Sequence, residues 1–133
     1  MEVVLDSNVL FRMLISRGDI IDLVFSTNLK IYAPQRLWVE FINNKKEILS
    51  RSDLSERDFQ VLGSLLLDRI ILVKIEEYKD YIPKARQLLK EHEKDEEFIA
   101  LCLLKSCKLW TYESRLFEIG FGISTKEIHH KLS

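Results

Sequence analysis

The sequence predicts an α/β fold: a three-layer α/β/α sandwich around a central, mainly parallel sheet of about five short strands. Short apolar runs alternate with longer helical patterns along the chain, and this alternation favours parallel strands covered by helices on both faces. The 133 residues, 47% of them hydrophobic, are enough for a core, and only 4 Gly and 2 Pro interrupt them. The chain therefore fits a single domain over residues 1–133.

The N-terminal part begins with an apolar run, Val3–Leu5, which is best explained as a buried strand. A helix is predicted through 9–15, and residues 16–18 break it. Asp19 is placed to cap a second helix, Ile20–Phe25. A strand followed at once by helices is the first half of the alternating pattern.

The next segment contains a second predicted strand, Lys30–Ala33, stopped by Pro34. Apolar positions then mark one face of a long helix from Leu37 to about Ser50. A capping-box pattern at Ser55 begins a further helix, which contains the apolar residues Phe59, Leu62, Leu65 and Leu66.

The C-terminal part contains three more predicted strands, at Ile70–Ile75, Leu109–Tyr112 and Gly122–Thr125. A helix over Tyr78–Glu91, with Tyr81, Ala85, Leu88 and Leu89 inward, contains Pro83, which marks either a kink or a late start. Helical segments also follow Asp95, at Leu116–Ile119 and at Lys126–Leu132. The chain shows neither an internal repeat nor a linker.

The composition narrows the classes of function and location. The formal net charge is −1 with 31% charged residues, so no global electrostatic attraction draws the chain to nucleic acid. No apolar run approaches the roughly 20 residues that span a bilayer, and no signal peptide is recognisable. Cys102 and Cys107 are too far apart on a predicted helix for a disulfide, so we expect reduced thiols. A cytoplasmic protein without a membrane partner is expected.

Four acidic residues are predicted to lie at one edge of the sheet. Asp6 follows the first strand and Glu113 the fourth, Glu40 is early in the helix after the second strand, and Asp95 starts a helix. Taken singly, each has an ordinary explanation as a helix cap or a solvated side chain. In open parallel sheets, however, sites form outside the C-terminal ends of the strands. The four acids together therefore indicate a site.

Clustered carboxylates repel one another, so a shared site must neutralise them. Oxygen ligands without His or Cys favour Mg²⁺ or Mn²⁺ over zinc. Such an ion activates water and binds phosphate oxygens, and two ions can hold both sides of a phosphodiester. The four acids therefore predict a metal centre for phosphodiester chemistry.

With these residues in place, the whole chain resembles the PIN-domain family of metal-dependent nucleases. The segments that carry the resemblance are "LDSNVLF", "LWVEF", "DEEFIALCL" and "LWTYESRLF", in that order. The resemblance implies that Asp6, Glu40 and Asp95 are catalytic and metal-binding acids, with Ser7 and Asn8 in supporting positions.

The last of these segments departs from the family pattern Thr-x-Asp-x-Asp-Leu. Thr111 and Leu116 match it, while Glu113 replaces the first Asp and Arg115 the second. Thr111 is expected to support the site, and Glu113 to reach the metal directly or through water. Arg115 either weakens a second metal site or binds the phosphate backbone, and the sequence leaves both alternatives open.

The resemblance implies an endoribonuclease that hydrolyses single-stranded RNA, in the narrower case the toxin of a toxin–antitoxin pair with an antitoxin protein as partner. A homodimer is also expected, because Leu62, Leu65, Leu66 and Trp38 form a generous apolar face. The main alternative is a catalytically degraded module of the same fold that binds RNA or protein.

Two further classes fit the sequence poorly. A phosphatase of the haloacid dehalogenase type needs a second Asp two residues after the first, where this chain has Asn8. A response-regulator receiver needs an Asp after the third strand, and "ILVKIEEY" provides none there.

Overall fold

A computed structural model of the chain describes residues 1–16, 18–91 and 93–133. Arg17, part of the predicted break between the first two helices, lies outside these residues. The elements, in chain order, are β1 (Glu2–Leu5), α1 (Ser7–Ser16), α2 (Asp19–Val24), β2 (Lys30–Pro34), α3 (Arg36–Asn43), α4 (Lys45–Arg51), α5 (Glu56–Asp68), β3 (Ile70–Val73), α6 (Ile75–Tyr78), α7 (Ile82–Leu89), α8 (Glu96–Lys105), β4 (Lys108–Trp110), α9 (Ser114–Glu118), β5 (Gly122–Ile123) and α10 (Thr125–Leu132).

The five strands form one sheet in the order β3-β2-β1-β4-β5, and every neighbouring pair is parallel. This confirms the predicted α/β class. Because β1 is followed by β2 on one side and flanked by β4 on the other, the chain reverses its direction of winding beside β1. Ligand sites of open parallel sheets form at such reversal points, outside the C-terminal ends of the strands.

Helices cover both faces of the sheet, and alternate strand side chains separate the two cores. In β1, Val3 and Leu5 pack into one core and Val4 into the other. The first core packs against α1 to α5 and α10, and the second against α6 to α9. Because β1 is buried on both faces, its sequence is a continuous apolar run rather than an alternating one.

The predicted long helix over 37–50 is wrong, because it is two helices. Asn44 leaves the helical conformation at φ −100° and ψ 8°, and α4 begins at the next residue. The Asn44 side-chain amide donates to the Glu40 carbonyl at 2.7 Å. Asn competes in this way for backbone groups that a continuous helix would use.

Several element ends also differ from the prediction. Pro34 is the last residue of β2 rather than the first residue beyond it, and β3 ends at Val73 because Ile75 begins α6. Of the two alternatives for Pro83, the late start is confirmed, since it lies in the first turn of α7. Tyr81, predicted inward, is instead 39% exposed.

Three helix ends differ from the predicted ones, and each has a local cause. Asp19 is the first residue of α2, and Gly18 occupies the N-cap. Ser124 forms a full capping box with Glu127, so α10 begins at Thr125 and β5 is shorter than predicted. The left-handed Ser106 ends α8, which places Cys107 beyond the helix. Both cysteines are free thiols, as predicted.

Among the helices of the described residues, none is long and apolar enough to cross a membrane.

Candidate active site

The site begins where β1 and β4 end side by side. The Asp6 backbone N–H donates to the Trp110 carbonyl at 3.0 Å, which continues the pairing of the two strands by one residue. The Thr111 hydroxyl then donates to the Asp6 carboxylate at 2.7 Å and accepts from the Glu113 N–H at 3.1 Å. Thr111 therefore fixes Asp6 and the start of the loop that carries Glu113 with one side chain.

Asp6 is only 4% exposed, and its surroundings disfavour the charged form of its carboxyl group. Burial raises the pKa of its carboxyl above the ordinary value, and the nearby charge of Glu113 raises it further. The hydrogen bonds from Thr111 and from the backbone N–H groups of Asn8 and Ser7 act in the opposite direction. The net effect is a raised pKa, so a cation beside Asp6 would be favourable.

Asp95 approaches the same place from the start of α8. It occupies the N-cap position and is 6% exposed, yet within the described residues its side chain makes no capping hydrogen bond. Its Oδ2 is buried and has no hydrogen-bond partner in the described part of the chain. Burial, followed by the charges of Glu113 and Asp6, raises the pKa of Asp95 to about 7.

Glu40 differs from the other three acids because an arginine bonds one of its carboxylate oxygens and a hydroxyl bonds the other. Arg36, one turn earlier on α3, places its Nε 2.8 Å from a Glu40 oxygen. The Ser7 hydroxyl donates to the other carboxylate oxygen of Glu40. Glu40 is therefore held in one orientation by groups on α1 and α3.

Two cations near the acids were not predicted as site residues. Arg36 contacts Glu97 at 3.4 Å in addition to Glu40, and Lys94 lies 3.9 Å from Glu113. The spacing of Arg36 and Glu40, four residues apart on a helix, was a signal for the first pair. Lys94 carried no comparable signal, since it lies in a charged segment and meets Glu113 only in the fold.

These residues line a cleft of about 100 Å³ at the C-terminal edge of the sheet. Six predicted residues line it together with two cations and one aromatic side chain: Asp6, Ser7, Asn8, Glu40, Asp95, Glu113, Arg36, Lys94 and Phe98. Thr111 lies beneath the cleft and contacts it through Asp6.

Arg115 is the predicted residue that the described structure places elsewhere. Its guanidinium donates to the Leu89 carbonyl at 2.9 Å, at the C-terminal end of α7. A cation at a helix C-terminus satisfies an open carbonyl and complements the helix dipole. In this conformation, Arg115 stabilises the end of a helix instead of facing the acids.

The residues present fit a hard divalent cation. The donors are all oxygens, and the buried Asp95 Oδ2 lacks a partner among the described residues. Burial and then neighbouring acids raise the pKa of Asp6 and of Asp95. Within the described ranges, no three acidic, His or Cys side chains are grouped so that they alone could hold an ion. Mg²⁺ does not require such a group, because it usually binds one or two carboxylates and keeps several waters.

The fold and the cleft define an open α/β sheet protein with an acidic site at the reversal of its winding. The PIN-domain family model matches residues 4–133, and the chain belongs to this family. PIN domains are generally nucleases and typically use divalent metals, and the family suggests RNA binding. No curated protein matches the chain.

Proposed function

We propose that this protein is a metal-dependent endoribonuclease that hydrolyses phosphodiester bonds of single-stranded RNA. The observation that carries the proposal is the convergence of Asp6, Asp95 and Glu113 in one cleft, where burial and mutual repulsion raise the pKa of the two aspartates. Without a cation, such a cleft repels a phosphate backbone. With one, it attracts the backbone.

Asp6 and Asp95 are the proposed ligands of Mg²⁺ or Mn²⁺, and Glu113 contributes directly or through water. When bound, the ion supplies an activated water and stabilises charge on the phosphate. Thr111 holds the Asp6 carboxylate in place by its 2.7 Å hydrogen bond. Together with the hydrogen bonds from the Ser7 and Asn8 backbone N–H groups, this bond fixes the Asp6 carboxylate at the edge of the cleft.

Glu40 is the proposed orienting group for the attacking water. Arg36 and Ser7 bond one carboxylate oxygen each, so the side chain is fixed beside a cation. Asn8 is exposed at the rim of the cleft, where its amide can bond the substrate. Lys94, also exposed at the rim, supplies positive charge for a phosphate.

The test is cleavage of unstructured RNA by the purified chain with Mn²⁺ or Mg²⁺, and with EDTA. We expect metal-dependent products that EDTA abolishes, and little cleavage by Asp6→Asn. Calorimetry of Mn²⁺ binding to both proteins adds a second readout. Absence of products from a broad panel of RNAs, with Mn²⁺ binding intact, would favour the degraded module that binds RNA or protein.

The narrower biological role is part of the same proposal. A toxin of a toxin–antitoxin pair, acting in the cytoplasm, fits a small nuclease that needs an antitoxin protein to restrain it. Co-expression in a host cell tests this role: wild-type chain should arrest growth, and Asp6→Asn should not. Growth unaffected by an active nuclease would point to RNA processing instead.

We also propose a homodimer, through a smaller face than the sequence indicated. Leu66 is fully buried and cannot contribute, whereas Trp38 is 44% and Leu65 50% exposed. Trp38 stacks on Phe41, and Phe41 stacks on Phe59, so the aromatic side chains join α3 to α5. Light scattering should give a dimer for wild type and a monomer for Trp38→Lys, with Lys79→Ala as a control.

A further inference from the structure

A groove lies directly beside the acidic cleft, and Asn8 lines both. The groove has a volume of about 340 Å³ and is formed by α1, α4 and the loop after β4. Its floor is apolar, and its polar side chains are Asn8, Arg12, Asn44, Glu47, Arg51 and Tyr112. The acidic cleft alone, at about 100 Å³, is too small to enclose a nucleotide, so substrate must extend beyond it.

Tyr112 gives the groove an exposed aromatic surface next to the proposed chemistry. The residue is 43% exposed and lies between Thr111 and Glu113 in the chain. The hydrogen bonds of Thr111 fix the backbone on both sides of the ring. A base stacked on Tyr112 would therefore lie beside the acidic site, since Glu113 is the next residue in the chain.

Cations accompany this ring. The Arg12 guanidinium lies 5.7 Å from the centre of the Tyr112 ring, a cation–π contact. Arg51 also lines the groove and pairs loosely with Glu47 at 3.5 Å, with both side chains 62% exposed. The groove thus carries two cations and one carboxylate, whereas the chain as a whole has a net charge of −1.

Aromatic rings flanked by cations are the means by which proteins bind single-stranded nucleic acid: bases stack on the ring and phosphates pair with the cations. We propose that this groove binds one nucleotide of single-stranded RNA next to the reacting phosphate, with its base on Tyr112 and its backbone against Arg12 and Arg51. The inference rests on the proposed function for the position of the reacting phosphate. Because a stacked base must be unpaired, the groove would select single strands over duplex.

The test measures binding separately from cleavage. Fluorescence anisotropy with a short, labelled, unstructured RNA is recorded in EDTA, so that the metal-dependent reaction does not proceed. The metal-free acids repel the RNA equally in every variant, so this repulsion cancels when the affinities of the variants are compared. Tyr112→Ala should weaken binding about 5–150-fold, because base–aromatic stacking is worth about 1–3 kcal/mol. Tyr112→Phe keeps the ring face and should restore binding to near the wild-type value.

The cations have their own readout. Arg12→Ala and Arg51→Ala should each reduce the slope of log affinity against log salt by about 0.7, as for one lost phosphate contact on a single strand. Arg57→Ala removes an exposed arginine of α5 outside the groove and should leave both affinity and slope unchanged. Thermal unfolding of each variant verifies that the fold is retained.

The outcomes separate the two proposals. Binding of the same strength by wild type and Tyr112→Ala would overturn the groove assignment even if RNA is cleaved. Tyr112-dependent binding without any cleavage would support the groove and contradict the nuclease. A duplex RNA bound as tightly as the single strand would also overturn the assignment, because paired bases cannot stack on the ring.

Discussion

The two sides of the acidic cleft treat negative charge in different ways. On the α3 side, Glu40 bonds Arg36 and Ser7, so its charge is matched within the protein. On the sheet side, burial and then the neighbouring acids raise the pKa of Asp6 and of Asp95. A single long ion pair, 3.9 Å between Lys94 and Glu113, offsets part of this charge. The comparison indicates that negative charge on the sheet side is only partly offset within the described residues, whereas Arg36 offsets that of Glu40.

The largest expected effect is the loss of cleavage on removing charge from the sheet side. Asp95→Asn should reduce cleavage of unstructured RNA by on the order of 10³-fold, because metal charge stabilisation is worth several kcal/mol. Single-turnover cleavage with Mn²⁺ measures this. Asp68→Asn makes the same chemical change at an exposed end of α5 and should have no effect. Full activity in Asp95→Asn would remove the basis of the comparison.

A smaller loss is expected on the α3 side. Glu40→Gln keeps the side-chain size but removes the charge that Arg36 and Ser7 hold in place. Substituting a residue that orients groups around the metal, rather than binding the metal itself, commonly reduces activity or metal affinity about 10–100-fold. We expect a loss in this range. The same cleavage assay measures it, with Glu76→Gln as a surface control. A loss as large as that of Asp95→Asn would show that the two sides are equivalent.

In the metal-free protein, Asp95→Asn should raise the free energy of unfolding, although it lowers cleavage. The pKa of Asp95 is about 7 in the folded protein against 3.8 ordinarily, so folding takes up a proton between these values. The stability that this proton uptake contributes at low pH is therefore lost as the pH rises through that window. At about pH 8, Asp95→Asn should be more stable than wild type by on the order of 2 kcal/mol.

Urea unfolding in EDTA at several pH values measures this difference, which should shrink as pH falls toward 4. Saturating Mn²⁺ should reverse the order by stabilising wild type, by about 2.7 kcal/mol at 100 times the dissociation constant. A wild type that is more stable than Asp95→Asn at high pH without metal would contradict the proposed repulsion.

The smallest effect is expected at Arg115. Because its guanidinium bonds the Leu89 carbonyl, Arg115→Ala should destabilise the protein by about 1–2 kcal/mol and leave cleavage by the folded protein unchanged. Urea unfolding and single-turnover cleavage measure the two quantities. Raised activity of Arg115→Asp at limiting Mn²⁺ would instead support the second-metal alternative and would place Arg115 functionally on the sheet side.

The sequence predicted much of the fold because its signals are local. Val3–Leu5 is buried on both faces, so a continuous apolar run marks it as a strand without further information. The rule that sites follow parallel strands then placed Asp6 and Glu113 at one edge, where the structure has them. The break at Asn44 was missed, because an apolar helical face continues across it and conceals the change of direction.

By itself, the sequence determined the order of the strands along the chain, because apolar runs mark β1 to β5. It also determined that Asp6 and Glu113 follow two of these runs. The tertiary structure decided which acids lack a partner. Arg36 and Ser7 bond Glu40, and Arg115 bonds the end of α7, through contacts between residues as far as 33 positions apart. The energy of such charges depends on their distances and burial in the folded chain, because Coulomb energy varies with both. The order of residues in the sequence specifies neither.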